Sequence, residues 1–333
     1  MTNINIPVSV LNLAPIREGE GPKEAIDAVV ELAQATEKMG YKRYWIAEHH
    51  NTSTLVSSAT AILIKHTLEH TKQILVGSGG IMLPNHSPLV VAEQFGTMET
   101  IYPNRVELGL GRAPGTDMLT ASALRRSKND SVYTFPSDVQ ALLTYFGSEE
   151  VQTQVKAFPG LGTRVPIYIL GSSTDSAYLA ASLGLPYVFA SHFAPMHMEE
   201  AINIYRARFQ PSEYLQKPYM MVCLNVIAAE TDKEAELLST TMQQFFLNVV
   251  KSAQMKLQPP VEIIDDIMTP RERAMAASMT SVTFKGDKSS IQQQLTIFQE
   301  KFNVDEIMAV SYIFDREKQK RSYEILKEVV EGK

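Results

Sequence analysis

Residues 73–117 read QILVGSGGIMLPNHSPLVVAEQFGTMETIYPNRVELGLGRAPGTD. The stretch opens on a β-type apolar run, Ile74-Leu75-Val76, which leads into Gly77-Ser78-Gly79-Gly80. Residues 88–101 carry a helical pattern, and a second β-type run at 106–110 ends in Gly111-Arg112. Two strands joined through one helix form a βαβ unit, whose strands run parallel. Each strand is expected to release a glycine-rich turn at its C-terminal end. In parallel α/β folds that end carries the ligand. The stretch therefore predicts both an architecture and the side of it on which chemistry lies.

Working outward, the same alternation repeats. Apolar or β-branched runs at 6–13, 44–47, 166–170, 186–190, 220–229 and 305–310 read as six more strands. Between them, helical spacing recurs from 22 to about 40, at 57–70, 177–184, from about 195 to 209, from 231 to about 250, at 289–302 and at 316–330. Pro22 suits a first helical turn, Gly40 a helix end, and Thr231-Asp232 an N-cap. Eight strands alternating with helices over this length predict a (β/α)8 TIM barrel with irregular insertions after strands 4 and 7, at 113–154 and 252–283. A doubly wound open sheet is the alternative that periodicity leaves open. No linker or repeat divides the chain, so residues 1–333 are expected to form a single domain.

Composition narrows the function classes. The chain has 333 residues, 44% hydrophobic and 20% charged, with a net charge of −6. That balance predicts no nucleic-acid partner, since no basic face compensates it. Lys318, Lys320 and Arg321 are interspersed with Glu317 and Glu324 and read as a solvated helix face. The single cysteine, Cys223, sits in an apolar run and reads as a small core residue. A reducing cytoplasm is expected. The first residues lack the features of a signal peptide, and no run approaches the roughly 20 apolar residues of a membrane span.

The motifs that carry chemistry cluster after the predicted strands. Gly171-Ser172-Ser173-Thr174-Asp175-Ser176 leads directly into a helix, where free backbone N–H groups and hydroxyls suit a phosphate. An ordinary N-cap is the plainer alternative. Glu48-His49-His50 offers acid/base or ligand chemistry. Consecutive strand residues face opposite ways, so one histidine acting alone is more economical than a metal pair. His86 and His192 also follow strands, which keeps a metal-dependent hydrolase barrel in view. The acidic ligands such a site needs are missing from the strand ends, and no metal is expected. Gly79-Gly80 allows close backbone approach to a flat ligand, or simply a tight turn. Arg112 is a candidate anion partner, or a surface ion pair.

Taken together and in order, EHH after strand 2, VGSGGIMLPNHSPLVVAEQFGTME, RVELGLGRAPGTD, and ILGSS before SAYLAASLGLPYVFASHFAP resemble the bacterial luciferase-like monooxygenases, on their non-luminescent, flavin-dependent oxidoreductase branch. The resemblance covers the chain from Val8 to about Glu328. It implies a (β/α)8 barrel with a flavin at its C-terminal mouth. By the same resemblance, Gly79 and Gly80 pack under the flavin ring, often through a cis peptide. Arg112 reaches the phosphate, Ser172, Ser173 and Ser176 form the phosphate-binding turn, and His49 stands beside the ring as a catalytic acid/base. Glu48 and His50 support it. Two departures argue against light emission: Gly111 stands where light-emitting members carry a reactive cysteine, and Ser172 where they carry an acidic residue. The implied reaction joins reduced FMN, supplied by a separate flavin reductase, with O2 and a small organic substrate, in a homodimer. No GxGxxG nicotinamide motif is present, which fits hydride chemistry performed elsewhere. A deazaflavin-dependent reductase on the same barrel, or a flavin-binding protein without turnover, are the neighbouring alternatives.

Overall fold

Eight parallel strands close into a barrel in this computed structural model, which describes residues 4–113, 116–124, 134–152 and 154–333. They are β1 (Val8–Asn12), β2 (Arg43–Ile46), β3 (Leu75–Met82), β4 (Val106–Gly111), β5 (Ile167–Gly171), β6 (Tyr187–Ala190), β7 (Met220–Ala228) and β9 (Glu306–Val310). Each pairs with the next, β6 pairs with β7, and β9 returns to β1 with Val8 opposite Ile307. Closure through β9 excludes the open sheet and places all eight strand C-termini around one mouth.

A ninth strand, β8 (Thr283–Gly286), is absent from the sequence expectation. It pairs with the upper half of β7, Asn225 to Ala228, on the edge that β6 leaves free beyond Cys223. β7 is nine residues long and buried throughout, so its lower half closes the barrel while its upper half stands above the rim. β8 is short and half polar, and it lay concealed at the boundary of a segment expected to be irregular.

Strand alternation sorts the core into two shells. Outward-facing residues such as Tyr44, Ile46, Val76 and Leu108 meet the helices in the larger shell. Inward-facing Leu11, Trp45, Tyr168, Val188, Met221, Cys223 and Met308 fill the barrel. The surrounding helices follow the predicted positions, with α3 at Pro88–Ile101 and α11 at Arg316–Glu331. The basic residues of α11 pair with acids, as in Lys318 Nζ to Glu234 at 2.6 Å and Arg321 to Glu230 at 2.6 Å. Among the described residues, no helix is long and apolar enough to cross a membrane.

Both insertions carry helices. After β4 come α4 (Met118–Leu124) and α5 (Phe135–Phe146), and after β7 come α8 (Asp232–Lys251) and α9 (Pro270–Met279). Within the segment expected to be irregular at 113–154, the first helix starts at Met118. Asp117 sets that start by accepting from the Leu119 and Thr120 amides at 2.9 and 3.0 Å, a side-chain cap of the kind that fixes a first turn.

Candidate active site at the barrel mouth

Gly77, Gly79, Gly80 and Gly111 lie inside strands, not in turns after them. β3 continues through Gly77, Gly79 and Gly80 to Met82, with its register against β4 shifting between Ser78 and Ile81. The physical reason is Trp45, which lies across the barrel interior. A Cβ on Gly77 would stand 2.9 Å from the indole Nε1, and one on Gly79 would stand 3.2 Å from Trp45 Cβ and 2.5 Å from Leu11 Cδ1. On Gly80 it would meet the Gly109 carbonyl oxygen at 2.7 Å. The glycine run thus makes room for a tryptophan and for close approach of β4. The Gly79–Gly80 peptide is cis.

Three side chains that end β2 behave differently. Glu48 is buried, and its Oε1 accepts from His50 Nε2 and His86 Nε2, each at 2.8 Å, while Oε2 accepts from the Met82 amide at 3.2 Å. Burial pushes the Glu48 carboxyl up, and these hydrogen bonds outweigh it, leaving it below its ordinary value. The ligand atoms of Glu48, His50 and His86 lie within 4.8 Å of one another, close enough to share an ion, and as they stand the carboxylate is the shared acceptor. His86 arrives from the turn after β3, so this bridge ties the ends of β2 and β3 together.

His49 points elsewhere, as alternation requires. Its Nδ1 is shut off from solvent without a hydrogen-bond partner. Burial lowers its pKa to about 4, with the nearby Glu48 charge opposing and His50 assisting. His192, after β6, has the same character: its Nδ1 is enclosed and unpartnered, and burial first and His49 second lower its pKa to about 3. Both rings are neutral at pH 7. Asn225 on β7 donates from Nδ2 to the His192 carbonyl at 2.8 Å, while its own Oδ1 has no partner. His192 was noticed in the sequence only as a possible metal ligand; its isolation is a property of packing that sequence does not display.

After β5, Ser173 caps α6 (Thr174–Leu183) without a side-chain hydrogen bond, so the first-turn N–H groups keep their capacity for an anion. Arg112 stands beside them, half exposed, with Nη1 and Nη2 donating to Asp175 Oδ2 at 3.2 and 3.3 Å. Ser172 and Ser173 are partly exposed at this turn, whereas Ser176 is turned inward. Ser176 Oγ donates to the Ser173 carbonyl at 2.7 Å and lies 2.9 Å from the Tyr187 hydroxyl. The structure thus brings Ser172, Ser173 and Arg112 together at one surface and places Ser176 beneath it.

The two insertions meet on the loop after β2. Asn51, with φ of 52°, donates from Nδ2 to Asp117 Oδ2 at 3.2 Å, and its carbonyl accepts from Gln254 Nε2 at 3.1 Å. Thr116 Oγ1 donates to the His50 carbonyl at 3.3 Å. The segment after α8 also pairs with the loop after β1, Leu257 N donating to the Ile16 carbonyl at 2.9 Å.

An uncapped helix N-terminus, an arginine and two neutral histidines gather at the C-terminal mouth of a parallel barrel, where α/β-barrel enzymes carry their sites. Residues 6–286 match the family of luciferase-like monooxygenases, and the chain belongs to that family. A relative from Escherichia coli (strain K12), described as a luciferase-like monooxygenase, is 45% identical over 99% of each chain. Among solved structures, apo-MsnO8 is 30% identical and covers 97% of this chain and 98% of its own, with a TM-score of 0.86. Two more distant structures share the fold: the oxygenating constituent of 3,6-diketocamphane monooxygenase in complex with FMN, at 15% identity over 99% of this chain and 98% of its own, TM-score 0.75, and an F420-dependent secondary alcohol dehydrogenase, at 13% over 98% and 99%, TM-score 0.69.

Proposed function

We propose that this chain is an FMN-dependent monooxygenase that uses reduced FMN and O2 on a small organic substrate. The observation that carries the reading is the pairing of Arg112 with the uncapped start of α6 at the barrel mouth. Arg112 and the free N–H groups at the start of α6, flanked by Ser172 and Ser173, suit a phosphate tail. Gly79, Gly80 and the Trp45 indole beneath them offer a flat surface to a ring. When bound, reduced flavin supplies the electrons that activate O2.

This chain's own residues hold and shield. His49, neutral at pH 7, can donate a proton from one ring nitrogen and accept one at the other. Glu48 fixes His50 and His86 beside it and thereby anchors the backbone on which His49 stands. The apolar interior, from Leu11 to Val310, keeps bulk water from the ring's inner face. The electrons are proposed to come from a separate flavin reductase, in the cytoplasm. A homodimer is proposed to form over α2 (Thr60–His70) and α3, whose Ile62, Val90 and Ile101 are exposed.

Titration of the protein with FMN, followed by flavin absorbance and fluorescence, tests the reading. Saturable binding is expected, and absence of binding by both oxidised and anaerobically reduced FMN would sink it. Arg112→Ala should weaken FMN by about 10- to 100-fold, the usual scale for losing a charge-assisted phosphate contact. Riboflavin, which lacks the phosphate, should bind wild type and variant alike. Equal losses for both ligands would remove Arg112 from the phosphate site. Competition between FMN and a deazaflavin ranks the two cofactor classes.

A further inference from the structure

We propose that His66, Glu69 and His70, at the C-terminal end of α2, form a binding site for a divalent transition-metal ion of the class of Ni2+, Cu2+ and Zn2+. α2 runs from the end of β2 at the mouth back to the start of β3, so the three residues stand at the opposite end of the barrel from the mouth. One ligand atom from each lies within 4.8 Å of the others. His66 is half-buried and Glu69 and His70 are exposed, so water can complete an ion's coordination. Ile62, on the proposed dimer face, is one turn away, and the ion site needs α2 open to solvent only over its last turn.

Spacing and tautomer carry the inference. Histidines at i and i+4 of a helix share one face, the arrangement that holds zinc in helical metal motifs. The ring centroids of His66 and His70 are 4.5 Å apart. His70 Nδ1 donates to the His66 carbonyl at 2.8 Å. A carbonyl only accepts, so Nδ1 carries the proton and Nε2 keeps the lone pair that a metal takes. A backbone carbonyl is a common outer partner of a metal-ligating histidine, because it fixes both tautomer and ring. The His66 ring makes no hydrogen bond among the described residues, and surface side chains change rotamer readily to meet an ion. Glu69 adds a carboxylate, which Lys65 Nζ holds at 2.6 Å. Two imidazoles and a carboxylate select transition metals over Mg2+, which takes oxygen ligands. The negative end of the helix dipole favours a cation at the same place.

Calorimetric titration of the full-length, untagged protein with Ni2+ tests the site, alongside melting with and without the ion. Saturable binding that excess Mg2+ does not displace is expected, and the ion should raise the melting temperature. His66→Ala and His70→Ala should each weaken Ni2+ by about 10-fold or more and remove that rise. Alanine suits a helix, so both variants should melt like wild type without the ion. Lys65→Gln frees the Glu69 carboxylate and removes a nearby positive charge. It should tighten Ni2+ by about 2- to 5-fold, the scale of an exposed ion pair. A merely structural role for the cluster would not produce that gain. Wild-type protein that binds no Ni2+, or histidine variants that bind it as well as wild type does, would overturn the site. Displacement by Mg2+ would reduce it to a general attraction for cations and overturn it equally, and weaker binding by Lys65→Gln would remove Glu69 from the set and overturn the three-ligand assignment.

Discussion

The two ends of the barrel interior are built on opposite terms. At the N-terminal end, Arg43 is buried between Glu107 and Glu306, with Nη1 donating to Glu107 Oε1 at 2.8 Å and Nη2 to Glu306 Oε2 at 3.0 Å. Trp45 Nε1 donates to Glu107 Oε2 at 2.8 Å, Tyr168 to Glu107 Oε1 at 2.9 Å, Tyr219 to Glu306 Oε2 at 2.6 Å, and Ser9 to Glu306 Oε1. Both carboxylates are saturated with donors. At the C-terminal end, His49, His192 and Asn225 have buried atoms without partners. The N-terminal charges are paired with one another, whereas the C-terminal histidines and Asn225 keep polar atoms without partners. A barrel enzyme is expected to concentrate stability at one end and recognition at the other.

The largest test of this contrast removes the cation from the closed end. Burial alone would lower the Arg43 pKa, but Glu107 and Glu306 hold it above its ordinary value, while burial pushes the Glu107 carboxyl up against the pull of Arg43. Arg43→Met strands two buried carboxylates. The expected loss is about 3–5 kcal/mol in chemical denaturation, the range for breaking one side of a buried ion network. Arg43→Met combined with Glu107→Leu and Glu306→Leu should recover only part of it, because no unpaired buried charge remains but the Ser9, Trp45, Tyr168 and Tyr219 donors lose their acceptors. A single variant that unfolds at the wild-type urea concentration would show that the network contributes nothing.

The open end gives a smaller, pH-gated effect. His49 and His192 have folded pKa values of about 4 and about 3, both below their ordinary value. A depressed histidine pKa means the unfolded chain binds the proton first, so its share of stability is complete above about pH 6.5 and drains away as pH falls toward the folded values. Each ring should withdraw about 2 kcal/mol between pH 6.5 and 5, at roughly 1.4 kcal/mol per unit. Unfolding midpoints measured across that window should fall less steeply in His49→Gln and in His192→Leu than in wild type. Parallel slopes would mean that neither ring is held neutral.

The same contrast explains what could be read from sequence. Strand and helix periodicity specified all eight barrel strands, since those signals are local and repeated. β8 escaped because its four residues, Thr283 to Gly286, gain their strand character only from pairing with β7. The glycine run at 77–80 was visible, yet it reads as turn chemistry until Trp45 is seen lying against it. Arg112 and Ser173 can be singled out in sequence because helix-start and anion chemistry are encoded within a few residues. The isolation of His192 depends on which groups fail to reach it from other strands, and no window of sequence records an absence. The bridge from Glu48 to His86 spans 38 positions and is likewise a product of register.

The finest distinction lies within the phosphate turn itself. The family resemblance groups Ser172, Ser173 and Ser176 as one binding set, but their surroundings separate them. Ser176 Oγ is occupied by the Ser173 carbonyl at 2.7 Å and the Tyr187 hydroxyl at 2.9 Å, and no room exists for a Cβ on Gly171 beside it. Ser176→Ala leaves Tyr187 able to donate to the Ser173 carbonyl, now 3.2 Å away, so no buried group is orphaned. The expected cost is about 1 kcal/mol of stability, the net worth of one such hydrogen bond. FMN affinity should change by less than about 3-fold, since the hydroxyl acts on the ligand only by steadying the turn. Ser173→Ala, at the uncapped start of α6, should weaken FMN more while costing less stability, because its hydroxyl makes no capping bond to lose. Calorimetric melting and flavin titration on the two variants give both orders at once. If Ser176→Ala weakens FMN more than Ser173→Ala does, the inner hydroxyl reaches the ligand after all, and the turn must open on binding.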